Sequence, residues 1–198
     1  LVAVNLVNGT YSVIANLNAL TAGNLSGLAW DHTNGRAIAV STSGEVLVIN
    51  LANGAVLSNQ ALGGAWEAVA VHPTTGRIYG IARNGAAASV YQIQPASTGW
   101  QRTLIGNLAG VTVAPGEEGF WDCDFDDNSG KLYANVYVEG GTDPDYWVTL
   151  QVDLRSVNSP GDLDTRAILQ GPAVSSMAIA TPPPASSSGR PITRYQWL

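Results

Sequence analysis

The sequence predicts an all-β fold built from repeated sheets of four antiparallel strands, because a short phrase recurs along the chain and no segment shows sustained helical periodicity. Each copy of the phrase holds a strand, a tight turn and a second strand, and the turn ends in a glycine followed by a basic residue. These glycines are Gly35, Gly76, Gly130 and, in a weaker copy, Gly189. Repetition at intervals of about 40 to 60 residues is typical of a β-propeller.

The first three copies each open a predicted blade of four strands. In the first blade, links such as Thr42-Ser-Gly44 supply the glycines with positive φ that tight hairpins need. The predicted strands of this blade are 26–31, 36–41, 45–51 and 55–62. Those of the second are 67–72, 77–82, 89–94 and 100–108. The three blades are expected at about 25–62, 66–108 and 120–169, and the third carries an insertion at 139–145.

The two ends of the chain supply a fourth blade that is split between them. Residues 1–9 repeat the strand and turn seen at 46–54, and residues 11–17 follow as the next strand. At the other end, 175–181 and 191–197 alternate as a first and second strand would. We therefore expect one domain, 1–198, with four blades.

The split blade is formed by 174–198 together with 1–17. Closing the array in this way buries sheet edges that an open array would expose. We expect the C-terminal segment to pair antiparallel with residues 2–6, either within one chain or between neighbouring copies. If the C-terminal segment instead completes the split blade of a neighbouring copy, the copies do not form a closed ring and assemble into a fibre.

Composition limits the class of protein and its partners. A chain that is 45% hydrophobic over 198 residues buries one sizeable core, and 22 glycines with 12% charged residues suit a turn-rich all-β domain. The net charge of −6 opposes binding to a phosphate backbone, so nucleic acid is not an expected partner. No apolar run reaches about 18 residues, which predicts no membrane insertion. The start at Leu1 instead of Met agrees with a secreted product whose leader has been removed, and equally with a chain trimmed for another reason.

Three phrases carry a resemblance to a known group of proteins. They are Gly27-Leu-Ala-Trp-Asp31, Gly76-Arg-Ile-Tyr-Gly80 and Val90-Tyr-Gln-Ile-Gln-Pro-Ala-Ser-Thr-Gly99. Over about residues 25–155 the chain resembles secreted bacterial β-propeller proteins, whose blades read G-L-A-x-D-P-x-T-G-x-L-Y-G and then L-Y-x-I-D-P-x-T-G. The resemblance is specific for the architecture only. Such proteins serve as surface, adhesion, polymer-forming or ligand-binding modules, and a minority are enzymes, so function does not transfer with the fold.

Four aspartates between positions 122 and 127 suggest a calcium site, because hard cations require several oxygen ligands. The segment does not match the pattern of an EF-hand loop. Asp127 occupies the position that requires glycine, and Tyr133 occupies the position that requires glutamate. Asp126 lies four residues before its turn glycine, as Asp31 and His72 do. We therefore expect these three side chains to cap their hairpin turns.

Asp122 and Asp124 are the real departure from the repeat, because the second blade has Ala68 and Ala70 at these positions. The first strand of a blade lines the axis of a propeller. Two carboxylates added there contact a ligand or a metal, or they are solvated channel residues.

Other candidate residues lie in loops. The insertion combines Asp143 and Asp145 with Tyr146, and carboxylates beside aromatic rings suit contacts with sugars or peptides. Trp121, after Glu117-Glu118, extends the predicted ligand surface at the channel.

The remaining reactive residue types are few. The two histidines, His32 and His72, lie in turns of different blades, which predicts neither a zinc site nor a general base. Cys123 is the one cysteine and is expected to be an inert core thiol. Asn8 and Asn24 are glycosylation candidates by their tripeptide pattern.

These features predict an extracellular, non-catalytic structural or interaction module. Its partners are other copies of itself, or extracellular protein or carbohydrate, and pairing of terminal strands builds a filament or surface layer. The alternative is an extracellular hydrolase or lyase, or a carbohydrate-binding propeller, that uses the acidic and aromatic loops. No metal site and no resident cofactor are predicted, and calcium is the one ion left open. The predicted ligand-binding residues are Trp121, Asp122, Asp124, Asp143, Asp145 and Tyr146.

Overall fold

The computed structural model shows a chain of β-strands. Within the described residues every regular element is a strand, which confirms the all-β prediction, and no helix there has the length and apolar character needed to cross a bilayer. The structure describes residues 1–5, 7–17, 20–84, 87–112, 122–138, 146–158, 161–171 and 195–196.

In this part of the chain the strands form three sheets, of three, four and eight strands. In chain order they are β1 (Val2–Val4), β2 (Tyr11–Val13), β3 (Leu25–Asp31), β4 (Arg36–Ser41), β5 (Glu45–Asn50), β6 (Val56–Ala61), β7 (Ala65–Val71), β8 (Ile78–Asn84), β9 (Ala87–Ala96), β10 (Gly99–Thr112), β11 (Asp122–Phe125), β12 (Leu132–Val138), β13 (Tyr146–Asn158), β14 (Asp162–Gly171) and β15 (Tyr195–Gln196).

The four-stranded sheet holds β3, β4, β5 and β6 in sequence order, each antiparallel to the next. Its strands lie within two residues of the predicted bounds, because alternating apolar residues and turn glycines are local signals. Gly44 shows why its turn needs glycine. Its φ is +97°, and a Cβ there would lie 2.9 Å from the carbonyl oxygen of Gly64.

The eight-stranded sheet corrects one expectation. The strands predicted for the second and third blades, β7–β10 and β11–β14, form one continuous sheet instead of two separate ones, in the order β11-β12-β13-β14-β10-β9-β8-β7. The join is a short parallel pairing of β10 with β14, in which Asn107 lies opposite Asp162 and Leu108 opposite Leu163. The outer strands of the two halves therefore share hydrogen bonds.

Gly106 allows this close approach of the two outer strands. A Cβ at Gly106 would lie 2.9 Å from both the carbonyl oxygen of Gly161 and Cγ of Leu163. The backbone N–H of Asn107 donates to the Gly161 carbonyl at 3.0 Å, and the Ser89 hydroxyl donates to Oδ1 of Asn107 at 2.8 Å. The parallel join therefore depends on a residue without a side chain.

The terminal sheet consists of β15, β1 and β2 in that order. β15 is antiparallel to β1, with Gln196 opposite Val2 and Tyr195 opposite Ala3, so the predicted pairing of the two ends is confirmed within one chain. The predicted strand at 175–181 lies outside the described residues. None of the sheets is closed on itself in the described part of the chain, and the count of four blades stays a prediction.

Three buried clusters show how the sheets stack face to face. One face of the four-stranded sheet packs against β7–β9, and its other face packs against the N-terminal segment around Leu17. The two halves of the eight-stranded sheet bury a third cluster between them, which includes Phe125, Leu132 and Leu163. Each sheet except the terminal one is thus covered by its neighbour along the chain.

Candidate functional site

The repeated phrase forms three capped hairpins, as predicted. The backbone N–H of Asn34 donates to Oδ1 of Asp31 at 3.2 Å, and that of Asn128 donates to Oδ1 of Asp126 at 3.1 Å. His72 takes the same part with Nδ1, which accepts from the backbone N–H of Thr74 at 3.3 Å. One position of the repeat therefore stabilises a turn with either a carboxylate or an imidazole.

The capping geometry uses the Asp126 carboxylate within its own turn. Hydrogen bonds from the Ser129 hydroxyl and the Asn128 N–H lower the pKa of Asp126. Among the described residues no three metal-ligating side chains come together. Asp126 thus stabilises its own turn.

Asp122 and Asp124 lie on β11, on the opposite side of that strand from the buried side chains of Cys123 and Phe125. Both carboxylates are partly exposed and both have polar contacts, among them the Phe125 N–H, which donates to Oδ1 of Asp124 at 2.8 Å. Burial, and then the charges of Asp122 and Asp124, raise the pKa of the Cys123 thiol. Cys123, whose thiol is predicted to be inert, thus lies between the two aspartates along β11, with its side chain on the opposite, buried side of the strand.

The predicted loop residues are only partly within the described chain. Trp121, Asp143 and Asp145 lie outside the described residues, as do Glu117 and Glu118. Tyr146 is the first residue of β13, where its backbone is paired with Val138.

The two glycosylation candidates are exposed. Asn8 lies between β1 and β2, where the Thr10 hydroxyl donates to its Oδ1 at 2.8 Å. Asn24 directly precedes β3. His32 is exposed beside Trp30, with ring centroids 5.4 Å apart.

The two halves of the eight-stranded sheet open into a cleft of about 580 Å³. Its wall from the first half includes Tyr79, Gln92 and Ile105, and its wall from the second half includes Leu132 and Val152. The tips of two hairpins meet at its edge, where a Cβ on Gly130 would lie 3.1 Å from Nε2 of His72. The cleft has the size of a small-molecule or oligomer-binding site.

Basic residues gather around this cleft. It is lined by Arg77, Lys131, Arg155 and Arg166, all of them exposed, and Asp153 is the one acidic residue among the described lining residues. The sequence gives a signal for half of this group, since Arg77 and Lys131 each follow a turn glycine of the repeat. Arg155 and Arg166 belong to no repeated motif, so the basic cleft was not predicted.

The terminal sheet carries a different kind of surface. Tyr11 and Val13 of β2 are 62% and 70% exposed, and Val7, in the link from β1, is 93% exposed. They form the terminal apolar surface, defined here as Val7, Tyr11 and Val13. Tyr11 and Val13 lie two residues apart on β2 and so share a face of the strand. Exposed apolar side chains that cluster in this way are typical of protein–protein contact sites.

Comparisons with known proteins add little to this description. No family model matches the chain, and no curated protein matches it. Among solved structures, the chain is similar to the β-propeller domain of Cps50 (Swd1) from Myceliophteria thermophila, with a TM-score of 0.48 and 10% sequence identity. The match covers 84% of this chain and 64% of that domain, so the chain spans less than two thirds of its length.

Proposed function

We propose that this chain is a non-catalytic structural module that acts outside the cell and self-associates by exchange of its C-terminal strand. The observation that carries the proposal is the pairing of β15 with β1, which joins the two ends of the chain in one sheet. The same backbone hydrogen bonds form equally well when β15 comes from a neighbouring copy, because the donors and acceptors are identical. The bacterial β-propeller proteins that the sequence resembles are secreted, and we extend that location to this chain as part of the proposal.

The length of chain before β15 supports the exchange. β14 ends at Gly171 and β15 begins at Tyr195. A chain segment such as 172–194 spans up to roughly 75 Å when extended, at about 3.3 Å per residue. This length is sufficient to reach the terminal sheet of an adjacent copy.

The terminal apolar surface supports self-association independently of the strand. Tyr11 and Val13 lie on β2, which is the outer strand of the terminal sheet opposite to β15. An outer strand with exposed apolar side chains is a site where chains associate unless something covers it. Burying these side chains against a neighbour contributes about 25 cal/mol per Å² of apolar surface.

A four-bladed propeller with one split blade is the architecture that we propose for the module. The packing of the four-stranded sheet supports it, since one face of that sheet covers β7–β9 and its other face covers the N-terminal segment around Leu17. In this arrangement the terminal sheet is the blade whose strands come from both ends of the chain. Exchange of β15 then links copies without changing the packing inside each one.

The enzymatic alternative has less support. It requires Asp122 and Asp124 to act on a substrate, but Asp124 accepts a hydrogen bond from the adjacent backbone and both carboxylates flank a buried thiol. The ring of His72 packs against Phe125, whose side chain lies on the other side of β11 from Asp122 and Asp124.

Sedimentation velocity over a range of concentrations tests the proposal. The full chain is expected to form assemblies whose mass rises with concentration. A chain ending at Gly189 is expected to form smaller assemblies than the full chain at each concentration, because exchange of β15 is lost and only the terminal apolar surface remains. A chain whose last nine residues are replaced by a glycine–serine tail of equal length serves as the control for size. If the full chain is monomeric at all concentrations, self-association is wrong.

A further inference from the structure

The basic cleft, defined by Arg77, Lys131, Arg155 and Arg166, differs in charge from this acidic protein as a whole. The chain has 9 lysine and arginine residues against 15 aspartate and glutamate residues, yet four of the nine line this one cleft. A cluster of positive charge on an acidic protein attracts anions. It also repels the acidic surface of another copy less than the other regions of the protein do. Chance placement does not explain why two separate half-sheets supply the four cations.

Among the side chains that the structure describes, no carboxylate forms an ion pair with a guanidinium group of the cleft. The ion pairs in this part of the structure join Arg36 to Asp31 and Arg83 to Glu67, and neither pair lines the cleft. Arg77, Arg155 and Arg166 are exposed. Guanidinium groups match carboxylate and sulfate groups with two parallel hydrogen bonds, so they are suited to an anionic ligand.

The other polar groups of the cleft indicate which chemical class of anion it binds. The walls and edge carry the side-chain amides of Gln92 and Gln151, which donate to Gln94 and Tyr133, and the hydroxyls of Thr75 and Ser129, which accept from Arg77 N–H and donate to Asp126, respectively. Each of these side chains keeps a further donor or acceptor position. Amides and hydroxyls both donate and accept hydrogen bonds, as sugar hydroxyl groups do. The half-buried side chains of Ile105 and Leu154 add apolar surface for the carbon face of a ring.

We infer that this cleft binds an acidic oligosaccharide, whose carboxylate groups contact the arginines and whose hydroxyl groups contact the amide and hydroxyl side chains. A volume of about 580 Å³ is sufficient for a few sugar units. The inference does not depend on self-association, because the cleft lies between the halves of the eight-stranded sheet and uses no residue of the terminal sheet.

Isothermal titration calorimetry of the full chain with tetragalacturonate tests the inference, and the fully methyl-esterified tetrasaccharide is the neutral control ligand. Binding is expected for the acid only and is expected to weaken as salt is added, because the contacts are between exposed charges. The variant Arg77→Gln/Arg155→Gln is expected to bind about tenfold more weakly or worse, as loss of charge-assisted hydrogen bonds implies.

A matched variant separates the cleft from the overall charge. Gln101→Glu/Asn53→Asp changes the net charge by the same amount at exposed positions that do not line the cleft, and it is expected to keep the parent affinity to within a factor of two or so. Absence of binding, equal binding of the ester, or equal loss in both variants would overturn the inference. Tighter binding of hexaglutamate than of tetragalacturonate would overturn it in favour of an acidic peptide.

Discussion

The four-stranded sheet and the terminal sheet are built from the same sequence pattern, yet they differ in how well they are covered. In β4 and β5 the side chains of both faces are buried, so that Ile38 and Leu47, which pack on opposite faces, have no exposed surface. In the terminal sheet, β2 leaves Tyr11 and Val13 largely exposed. The four-stranded sheet is covered on both faces, and β2 of the terminal sheet is left exposed.

The two sheets share a sequence pattern but differ in burial. We infer that the neighbours of a sheet, more than the sequence of its strands, determine whether it contributes to stability or to association. A sheet between two others contributes stability, because its apolar side chains leave water on both faces. A sheet at the end of the stack has surface and backbone groups left for another molecule. We therefore locate stability in the four-stranded sheet and association in the terminal sheet.

The largest expected effect is the loss of a side chain from the four-stranded sheet. Leu47→Ala is expected to lower the free energy of unfolding by about 3 kcal/mol, because it leaves a cavity in the cluster on that face. Urea unfolding followed by tryptophan fluorescence measures it. Leu57→Ala on β6, where the side chain is 60% exposed, is the matched control and is expected to change stability by less than about 0.5 kcal/mol.

Truncation of the terminal sheet is expected to have a smaller effect. Deleting residues 190–198 removes β15 and exposes the edge of β1, with a loss of roughly 2 kcal/mol, the contribution of burying about one large apolar side chain. Differential scanning calorimetry compares it with the chain that carries a glycine–serine tail of equal length. Unchanged stability would mean that the C-terminal segment does not complete the sheet.

Thiol reactivity compares the interior of the eight-stranded sheet with the exposed terminal sheet. Burial raises the pKa of the Cys123 thiol, so in the folded chain it is expected to be unreactive toward a disulfide reagent at pH 8, and to react after unfolding in urea. A thiol introduced by Ser12→Cys on the exposed β2 is expected to react at once. Rapid reaction of Cys123 in the folded chain would show that the interior is open.

The smallest effect concerns pH and the edge of the four-stranded sheet. Hydrogen bonds from the Ser41 and Ser43 hydroxyls lower the pKa of Glu45 from 4.5 to about 2. Because the folded-state pKa is depressed, the stabilisation is complete above pH 4.5 and is lost as the pH falls toward 2. Glu45→Gln is expected to reduce stability at pH 7 by at most about 1 kcal/mol, since solvent screens the carboxylate, and the difference is expected to vanish near pH 2. A difference that grows at low pH would contradict this.

Local features of the fold were predictable from the sequence. The strands of the four-stranded sheet and the caps at Asp31, His72 and Asp126 depend on residues within one hairpin, so alternation and turn glycines were sufficient to identify them. The pairing of the chain ends was also predictable, because residues 1–9 repeat the pattern of 46–54.

Contacts between distant segments were not predictable. The parallel join of β10 to β14 depends on the close approach that Gly106 allows, and a single glycine within a strand does not indicate its partner. The basic cleft combines Arg77 with Arg155 and Arg166, which come from the two halves of the eight-stranded sheet. The spacing of these arginines along the chain does not indicate that they lie close together unless the order of the strands in the sheet is known.

Disulfide capture between copies tests the exchange of the C-terminal strand most directly. Ala3 and Tyr195 lie opposite each other in the pair formed by β1 and β15. Chains carrying Ala3→Cys are mixed with chains carrying Tyr195→Cys, and the products of mild oxidation are separated by mass. The buried Cys123 does not compete for the oxidant, and Gln101→Cys in place of Tyr195→Cys gives the level of random collision. Our account predicts a covalent pair between the two variants well above that level. If cross-links form only when both cysteines are in one chain, strand exchange does not occur and the proposed assembly is wrong.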